Sequence, residues 1–443
     1  MISDRIGLFC SYYLHTAYQI LVILLPLVTT PYISRTLGAT GIGVYSYHFS
    51  IARYFVVFAM LGLNNYGNRT IAAVRDNREV LSSTFSEIWF MQLFTAGTSF
   101  LVYCFYSLVF AKDLMSVILL AYVLSSVIDI NWFFFGIEKF KLTVIRNTVI
   151  KLTSVACIFL FVKSPKDVYV YGVILAGSFI LSQVAIWPFV HKFVDLKRPN
   201  LEDVLKHFKP NLILFVPVIA VSLYKTMDKI MLGILATMNS VGYYQNSENV
   251  INIPIALVQS LGTVMLPKMS NLAAKKEIDE SLRYIKLSTI FAVFLSSSVS
   301  FGIMAVCREF VPWFFGSGFE ECVDIFLILA PSCIFMAIAN VIRTQYLIPQ
   351  HMDKPYIISV FIGAIVNLIA NYLLIPIMDA SGAAVGTLLA EGVVCIYHIF
   401  AVIKSFDMGM TKAIGEKVVQ ARAQKAFERG GTVLACTRYA RDP

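Results

Sequence analysis

The chain has 443 residues, of which 58% are apolar and 14% are charged, and its mean hydropathy is +0.73. Soluble domains contain about 25% charged and about 45–50% apolar residues. The composition therefore argues against an ordinary soluble enzyme, a secreted disulfide scaffold and a disordered chain. The eight cysteines form no C-x-x-C pair, and the sequence contains no G-x-x-x-x-G-K-[ST] motif, so neither a zinc or dithiol site nor ATP hydrolysis at a P-loop is supported.

The net charge of +9 would suggest a nucleic-acid partner in a soluble chain. In a membrane protein it has a simpler cause, because lysine and arginine concentrate in cytoplasmic loops. We therefore expect no nucleic-acid partner.

Twelve apolar segments follow one another along the chain, each long enough to cross a hydrocarbon core about 30 Å thick. The first begins after only seven residues and is too long to be a signal peptide. The segments lie near residues 8–33, 41–64, 86–110, 113–136, 143–162, 167–190, 209–235, 241–266, 285–308, 320–347, 355–378 and 381–404. An even number of spans places both termini on the same side.

The distribution of basic residues predicts which side this is. With the N-terminus inside, the inner segments hold 17 lysines and arginines before the C-terminal tail, and the outer loops hold five. This asymmetry predicts that both termini are cytoplasmic. The outer loops are short, so we expect no large outer domain.

Short motifs recur between the two halves of the chain at a nearly constant offset of 199–201 residues. The pairs are 43–45 with 242–244, 61–62 with 261–262, and 72–75 with 273–276. Six spans return a chain to its starting side, so such a repeat has parallel topology, which is common in transporters. The predicted fold is an all-α integral membrane protein with twelve transmembrane helices in two six-helix bundles, related by a pseudo-two-fold axis along the membrane normal.

The domain boundaries follow from this repeat. We predict an N-terminal bundle at 1–190, a cytoplasmic linker at 191–208, a C-terminal bundle at 209–404 and a polar, basic cytoplasmic tail at 405–443.

Charged side chains within the spans predict a functional cavity, because a charge at mid-bilayer costs roughly 2.5–3.5 kcal/mol unless it faces water or a partner. Arg53, Lys225 and Lys229 lie deepest among the cations, whereas Arg343 lies nearer an inner end. The alternative for each cation is an ion pair with a neighbouring carboxylate, or a side chain that extends to the membrane–water interface. The excess of cations favours an anionic passenger, and phosphate is a natural candidate. Acidic residues well inside spans include Asp129, Asp228, Glu248 and Glu391.

Several motifs resemble those of one transporter family. In the first hairpin they are residues 25–38 (LPLVTTPYISRTLG), 41–46 (GIGVYS) and 61–69 (LGLNNYGNR), and near the other end 367–371 (NLIAN), 375–376 (IP), 382–387 (GAAVGT) and 390–391 (AE). Together they resemble the Wzx-type flippases of polysaccharide and O-antigen repeat units, in the multidrug/oligosaccharidyl-lipid/polysaccharide exporter superfamily. Some members of this family have fourteen spans, whereas this chain has twelve predicted segments.

The resemblance implies a flippase of the bacterial inner membrane, not an enzyme. It would move undecaprenyl-diphosphate-linked oligosaccharides, precursors of O-antigen or capsule, from the inner to the outer leaflet by alternating access through a cationic cavity. Arg53 and Arg35 match, by position, cations on the first two spans of related peptidoglycan lipid flippases. Those relatives carry an Arg-Asp pair in span 1 where this chain has Thr29 and Thr30. The implied partners are membrane lipid and the polysaccharide polymerase machinery, and the family suggests a monomer.

The roles of individual residues are expectations at this point. The predicted substrate-binding residues are Arg53, Lys225, Lys229, Arg343 and, at the outer mouth, Arg35. No cofactor is expected, but coupling to H⁺ or Na⁺ is, and its candidates are Asp129, Asp228, Glu248 and Glu391. Two alternatives stay open: a cation-coupled multidrug exporter of the same superfamily, which would favour an acidic cavity, and a membrane glycosyltransferase or polymerase, which usually needs a large outer loop.

Overall fold

The computed structural model describes the backbone of residues 2–428 and the side chains of residues 21, 24–223 and 225–403. This part of the chain is helical and contains no β-strand. The α-helices are α1 (Ile2–Met60), α2 (Leu63–Val74), α3 (Arg78–Phe105), α4 (Leu114–Ile118), α5 (Leu120–Ser125), α6 (Asn131–Gly136), α7 (Phe140–Phe161), α8 (Val168–Val184), α9 (Leu201–Leu205), α10 (Phe208–Leu235), α11 (Met238–Lys275), α12 (Ile278–Phe314), α13 (Cys322–Leu329), α14 (Ser332–Ile342) and α15 (Asp353–Glu428). A π-helical turn follows α3 at Tyr106–Ala111 and another follows α14 at Arg343–Leu347.

Nine helical runs among the described residues are long and apolar enough to cross a membrane, so the prediction of an all-α membrane fold is confirmed. Two of these runs contain a sharp break. A straight helix of the 59 residues of α1 would be about 89 Å long, but Gly38 interrupts it with φ +68° and ψ 177°. Glycine adopts this positive φ without a steric penalty. Asp379 breaks α15 in the same way, with φ +53°.

The segment predicted as one span at 113–136 is divided into the short helices α4, α5 and α6. Polar side chains account for the start of α4 and for the break before α6. Asp113 Oδ1 accepts a hydrogen bond from the Met115 amide at 2.7 Å, and Asp129 Oδ1 accepts one from the Asn131 amide at 2.9 Å. Aspartates that bond to nearby backbone amides favour a new helix start over a continuous helix.

Below, α1–α8 are called the first half and α10–α15 the second half. The halves meet where α1 packs against α11, close to the break at Gly38. A β-carbon on Gly43 would lie 1.7 Å from the carbonyl oxygen of Met238, and a β-carbon on Gly242 would lie 2.0 Å from that of Ala39. Only glycine fits at either position, so the two backbones touch.

Side-chain hydrogen bonds and apolar packing seal the same end of the boundary. The Thr40 hydroxyl donates to Asn239 Oδ1, and Asn246 Nδ2 donates to Ser34 Oγ at 2.8 Å. A hydrophobic core that includes Leu37 continues around these contacts into the second half. The boundary between α1 and α11 is therefore closed on the Gly38 side.

The segment that connects the halves is bound to the first half. Its backbone amides at Asp195 and Lys197 each donate a 3.0 Å hydrogen bond, to Ser82 Oγ and Ser86 Oγ of α3 respectively. At its end, His207 Nε2 lies 2.9 Å from a carboxylate oxygen of α3. The connection is therefore a fixed part of the first half up to the start of α10.

Large apolar side chains cover the outside of the helices. Phe94, Phe294 and Ile377 are 73%, 69% and 79% exposed. Water would make such a surface unfavourable, whereas lipid is as apolar as these side chains. The polar groups described next lie inside, between the halves.

Candidate functional site

A polar cavity of about 480 Å³ lies between the two halves. The first half contributes Phe49, Ser50 and Arg53 of α1 to its lining. The second half contributes the rest, which include Lys225, Thr226, Asp228, Lys229, Tyr244, Gln245, Glu248, Asn249, Asn252, Gln259, Ser332, Thr387 and Glu391. Helices that are apolar elsewhere thus turn their polar and charged residues to one space, as expected for a water-filled path through a membrane.

The structure brings together three of the five predicted substrate-binding residues. Arg53 of α1 and Lys225 and Lys229 of α10 all line the cavity. Lys229 is not available as a free cation, because its Nζ lies 2.6 Å from Oε2 of Glu248. Arg53 and Lys225 are exposed and form no ion pair with any residue whose side chain is described. These two cations are therefore available to an anion in the cavity.

The other two predicted substrate-binding residues lie elsewhere. Arg35 is outside the cavity lining, and its guanidinium donates to the backbone carbonyl of Trp313 in the second half. Arg343 is also outside the lining, and its guanidinium carbon lies 5.7 Å from the ring centre of Tyr356, within range of a cation–π interaction. Arg35 thus joins the halves near the closed end, and Arg343 packs within the second half.

The cavity is not purely cationic, in contrast to the sequence-based expectation. Three of the predicted ion-coupling residues, Asp228, Glu248 and Glu391, line it together with the three cations. The sequence shows that these carboxylates lie within spans, but it does not show that three different helices turn them to one space. Glu248 neutralises Lys229, so the lining has mixed charge.

Asp228 is the most enclosed of these carboxylates, at 3% exposure. Its Oδ1 accepts hydrogen bonds from Asn367 Nδ2 at 2.9 Å and Asn371 Nδ2 at 2.6 Å. Its Oδ2 accepts from the hydroxyls of Tyr244 at 2.8 Å and Thr387 at 3.1 Å. Four donors favour the charged form of a buried carboxylate, and this hydrogen-bonded carboxylate is part of the cavity lining.

The fourth predicted ion-coupling residue, Asp129, is outside the cavity lining. It belongs to a polar cluster inside the first half, where its Oδ1 accepts from the backbone and side-chain amides of Asn131 at 2.9 and 2.7 Å. Arg146 in turn donates to Asn131 Oδ1 at 2.8 Å. The geometry gives Asp129 a structural role at the start of α6.

Sequence reasoning overlooked a row of neutral amides. Gln245, Asn249, Asn252 and Gln259 of α11 all line the cavity. Their spacing of four, three and seven residues places them on one face of a helix. Amides with this period in an apolar helix are a signal that can be read from the sequence.

Comparison with known proteins assigns the chain to a family. Residues 11–273 match the family described as "Polysaccharide biosynthesis protein". The chain is 22% identical over 374 residues, 83% of this chain and 90% of the relative, to the Escherichia coli (strain K12) protein named "Putative O-antigen transporter". It is 27% identical over 256 residues, 57% of this chain and 53% of the relative, to the Haloferax volcanii protein named "Probable low-salt glycan biosynthesis flippase Agl15".

A solved structure shares the fold. Lipid II flippase MurJ in an inward closed conformation superposes with a TM-score of 0.73 at 14% identity, over 94% of this chain and 93% of that chain. At this identity the likeness concerns the fold, which is that of a helical membrane transporter. The family match covers more than half of the chain, and the resemblance seen in the sequence motifs is confirmed. The chain belongs to the polysaccharide biosynthesis protein family, with relatives that are named as O-antigen transporters and flippases.

Proposed function

We propose that this protein is a flippase for undecaprenyl-diphosphate-linked oligosaccharide repeat units, which it moves from the inner to the outer leaflet of the bacterial cytoplasmic membrane. The observation that carries the proposal is the position of Arg53 and Lys225, two exposed cations in a polar cavity between the halves. Arginine binds phosphate oxygens bidentately and lysine acts as a point charge. The diphosphate would bind between them while the lipid tail stays in the bilayer.

The twelve-span, two-bundle architecture is part of the proposal. The breaks at Gly38 and Asp379 divide α1 and α15 into two spans each, and residues 114–136 supply a further, interrupted span. The contacts at the boundary also support a pseudo-two-fold axis. Gly43 touches Met238 as Gly242 touches Ala39, and both pairs of equivalent residues differ by 199 in number. Reciprocal contacts of this kind are what a two-fold axis produces.

The place where the halves touch supports alternating access as the mechanism. The contacts between Ser34–Gly43 of α1 and Met238–Asn246 of α11 lie on the Gly38 side. The cavity lies beyond them, towards the connecting segment. The positive-inside rule assigns the Gly38 side to the outside and both termini to the cytoplasm, so this conformation is closed to the outside. Separation of α1 from α11 would expose the bound head group there.

Asp228 is our choice among the ion-coupling candidates. Asn371 Oδ1 is buried beside it without a hydrogen-bond partner among the described side chains, and a β-carbon on Gly386 would lie 2.1 Å from that oxygen. A Na⁺ ion would find the Asp228 charge, this amide oxygen and the Thr387 hydroxyl within one cluster, and oxygen ligands suit hard cations. A proton would bind Asp228 directly. Either ion would change the charge of the cavity and so couple its occupancy to the ion gradient.

A second function is favoured by one observation. Glu248 and Glu391 also line the cavity, and carboxylates would suit the cationic substrates of a multidrug exporter. In either case the protein would act without a chemical step. We further propose that it acts as a monomer and delivers its substrate to the polysaccharide polymerase machinery.

Deletion of the gene in its host distinguishes these functions. We expect loss of surface polysaccharide, accumulation of lipid-linked repeat units inside, and restoration of both by the wild-type gene. Unchanged surface polysaccharide together with increased drug sensitivity would contradict the flippase function and support the multidrug-exporter function.

A further inference from the structure

The neutral amides of α11 form a continuous polar face in the cavity. Gln245 and Asn249 are joined by a 2.8 Å hydrogen bond from Nε2 to Oδ1. Asn252 and Gln259 are exposed, and neither forms a side-chain hydrogen bond with another described side chain. A primary amide offers two donors and one acceptor oxygen. Asn252 and Gln259 therefore present unused hydrogen-bonding groups to whatever occupies the cavity.

The two halves offer different chemistry at equivalent positions. Asn252 lies 199 residues after Arg53, and Asn249 lies 199 residues after Ser50, which is the offset that relates the glycines at the boundary. All four residues line the cavity. One wall thus carries a cation where the other carries an amide. A ligand with an ionic end and a neutral, hydrogen-bonding end matches this asymmetry, because its ionic end can reach Arg53 while its neutral end reaches Asn252.

We propose that Asn252 and Gln259 bind the sugar part of the substrate and contribute to selection among oligosaccharides, an inference that rests on the proposed flippase function. Sugar hydroxyl and acetamido groups both donate and accept hydrogen bonds, as do amides. A site that hydrogen-bonds a hydroxyl discriminates against ligands that lack it, because its polar groups are then left unpaired. In this arrangement the diphosphate binds Arg53 and Lys225, and the two amides form hydrogen bonds with the sugars.

The test separates sugar binding from head-group binding. The full chain in lipid nanodiscs is titrated with two probes: undecaprenyl diphosphate, and the same lipid bearing the host's repeat unit. The variant Asn252→Leu with Gln259→Met removes both amides with little change in volume. Ser260→Ala is the matched control, because Ser260 lies on the same helix, is exposed and is outside the cavity lining.

Each neutral hydrogen bond contributes enough to change affinity about two- to twelvefold. We expect the double variant to bind the glycosylated lipid at least about tenfold more weakly than wild type and the bare lipid within about twofold of it, with Ser260→Ala unchanged. Equal weakening for both probes would overturn the proposal, since the amides would then act on the head group or the fold. If the double variant bound both probes with wild-type affinity, the proposal would also be overturned, since the amides would then contact only water in the cavity. Failure of the wild type to bind either probe would instead contradict the flippase function.

Discussion

Gly43 and Gly242 meet across the boundary between the two halves, although 199 residues separate them in the chain. A β-carbon on Gly43 would lie 3.1 Å from the amide nitrogen of Gly242, in addition to its overlap with the Met238 carbonyl. This part of the boundary is therefore formed by backbone against backbone, with no interlocking side chains at the point of contact. Such a contact can open and close without changes of rotamer, as the proposed alternating access would require.

Gly43→Ala and Gly242→Ala should each force α1 and α11 apart. Overpacking of a close contact typically costs about 1–3 kcal/mol, so thermal unfolding in detergent should occur at lower temperature. A cysteine placed at Ser34 should also become more accessible to a membrane-impermeant thiol reagent from outside. Gly177→Ala is the control, because a β-carbon there meets nothing within 4 Å, and alanine is favoured over glycine in a helix. Equal behaviour of Gly43→Ala and Gly177→Ala would show that the boundary is not close-packed.

The Lys229–Glu248 ion pair should contribute mainly to stability. Its Nζ–Oε2 distance is 2.6 Å, and the two side chains are 11% and 24% exposed. Lys229→Met or Glu248→Gln alone leaves an uncompensated, largely enclosed charge, which we expect to cost about 1–3 kcal/mol because water in the cavity moderates the penalty. The double variant should cost clearly less than the sum of the singles, as measured by chemical unfolding. Additive effects would indicate that Lys229 acts independently, for example on the substrate.

Asp228 and Asp129 should differ in their effect on transport. Asp228→Asn removes the charge at the centre of four donors, and we expect export to fall more than about tenfold if this charge couples transport to an ion gradient. Asp129→Asn keeps an acceptor oxygen that can still cap α6, so export should stay within about twofold of wild type. Surface polysaccharide, normalised to the amount of each variant in the membrane, is the measurement. Loss of export with Asp129→Asn but not with Asp228→Asn would indicate that the coupling site lies in the first half.

The sequence was sufficient for the membrane class, the family and most of the helical segments. Hydropathy predicts spans well because every backbone group in lipid must be bonded within a helix. It did not predict the break before α6, since that depends on whether Asp129 bonds to the neighbouring amide of Asn131. The repeat offset was readable, and the structure adds that its glycines touch.

The candidate site was predictable only in part. Arg53 and Lys225 were found because an isolated charge in an apolar helix needs a polar environment. The pairing of Lys229 with Glu248 was not predicted, because it depends on the rotation of two helices about their axes. For the same reason the sequence did not show that Arg343 packs against Tyr356, outside the cavity lining.

The most direct test of the head-group site is export with both cavity cations neutralised. In a host that lacks its own gene, Arg53→Gln with Lys225→Met is compared with wild type and with Arg343→Gln, whose arginine lies outside the cavity lining. Surface polysaccharide and lipid-linked repeat units are quantified at equal membrane levels of each protein. We predict that the cavity variant loses surface polysaccharide and accumulates lipid-linked units, whereas Arg343→Gln exports like wild type. Wild-type export by the cavity variant would contradict binding of the diphosphate by Arg53 and Lys225.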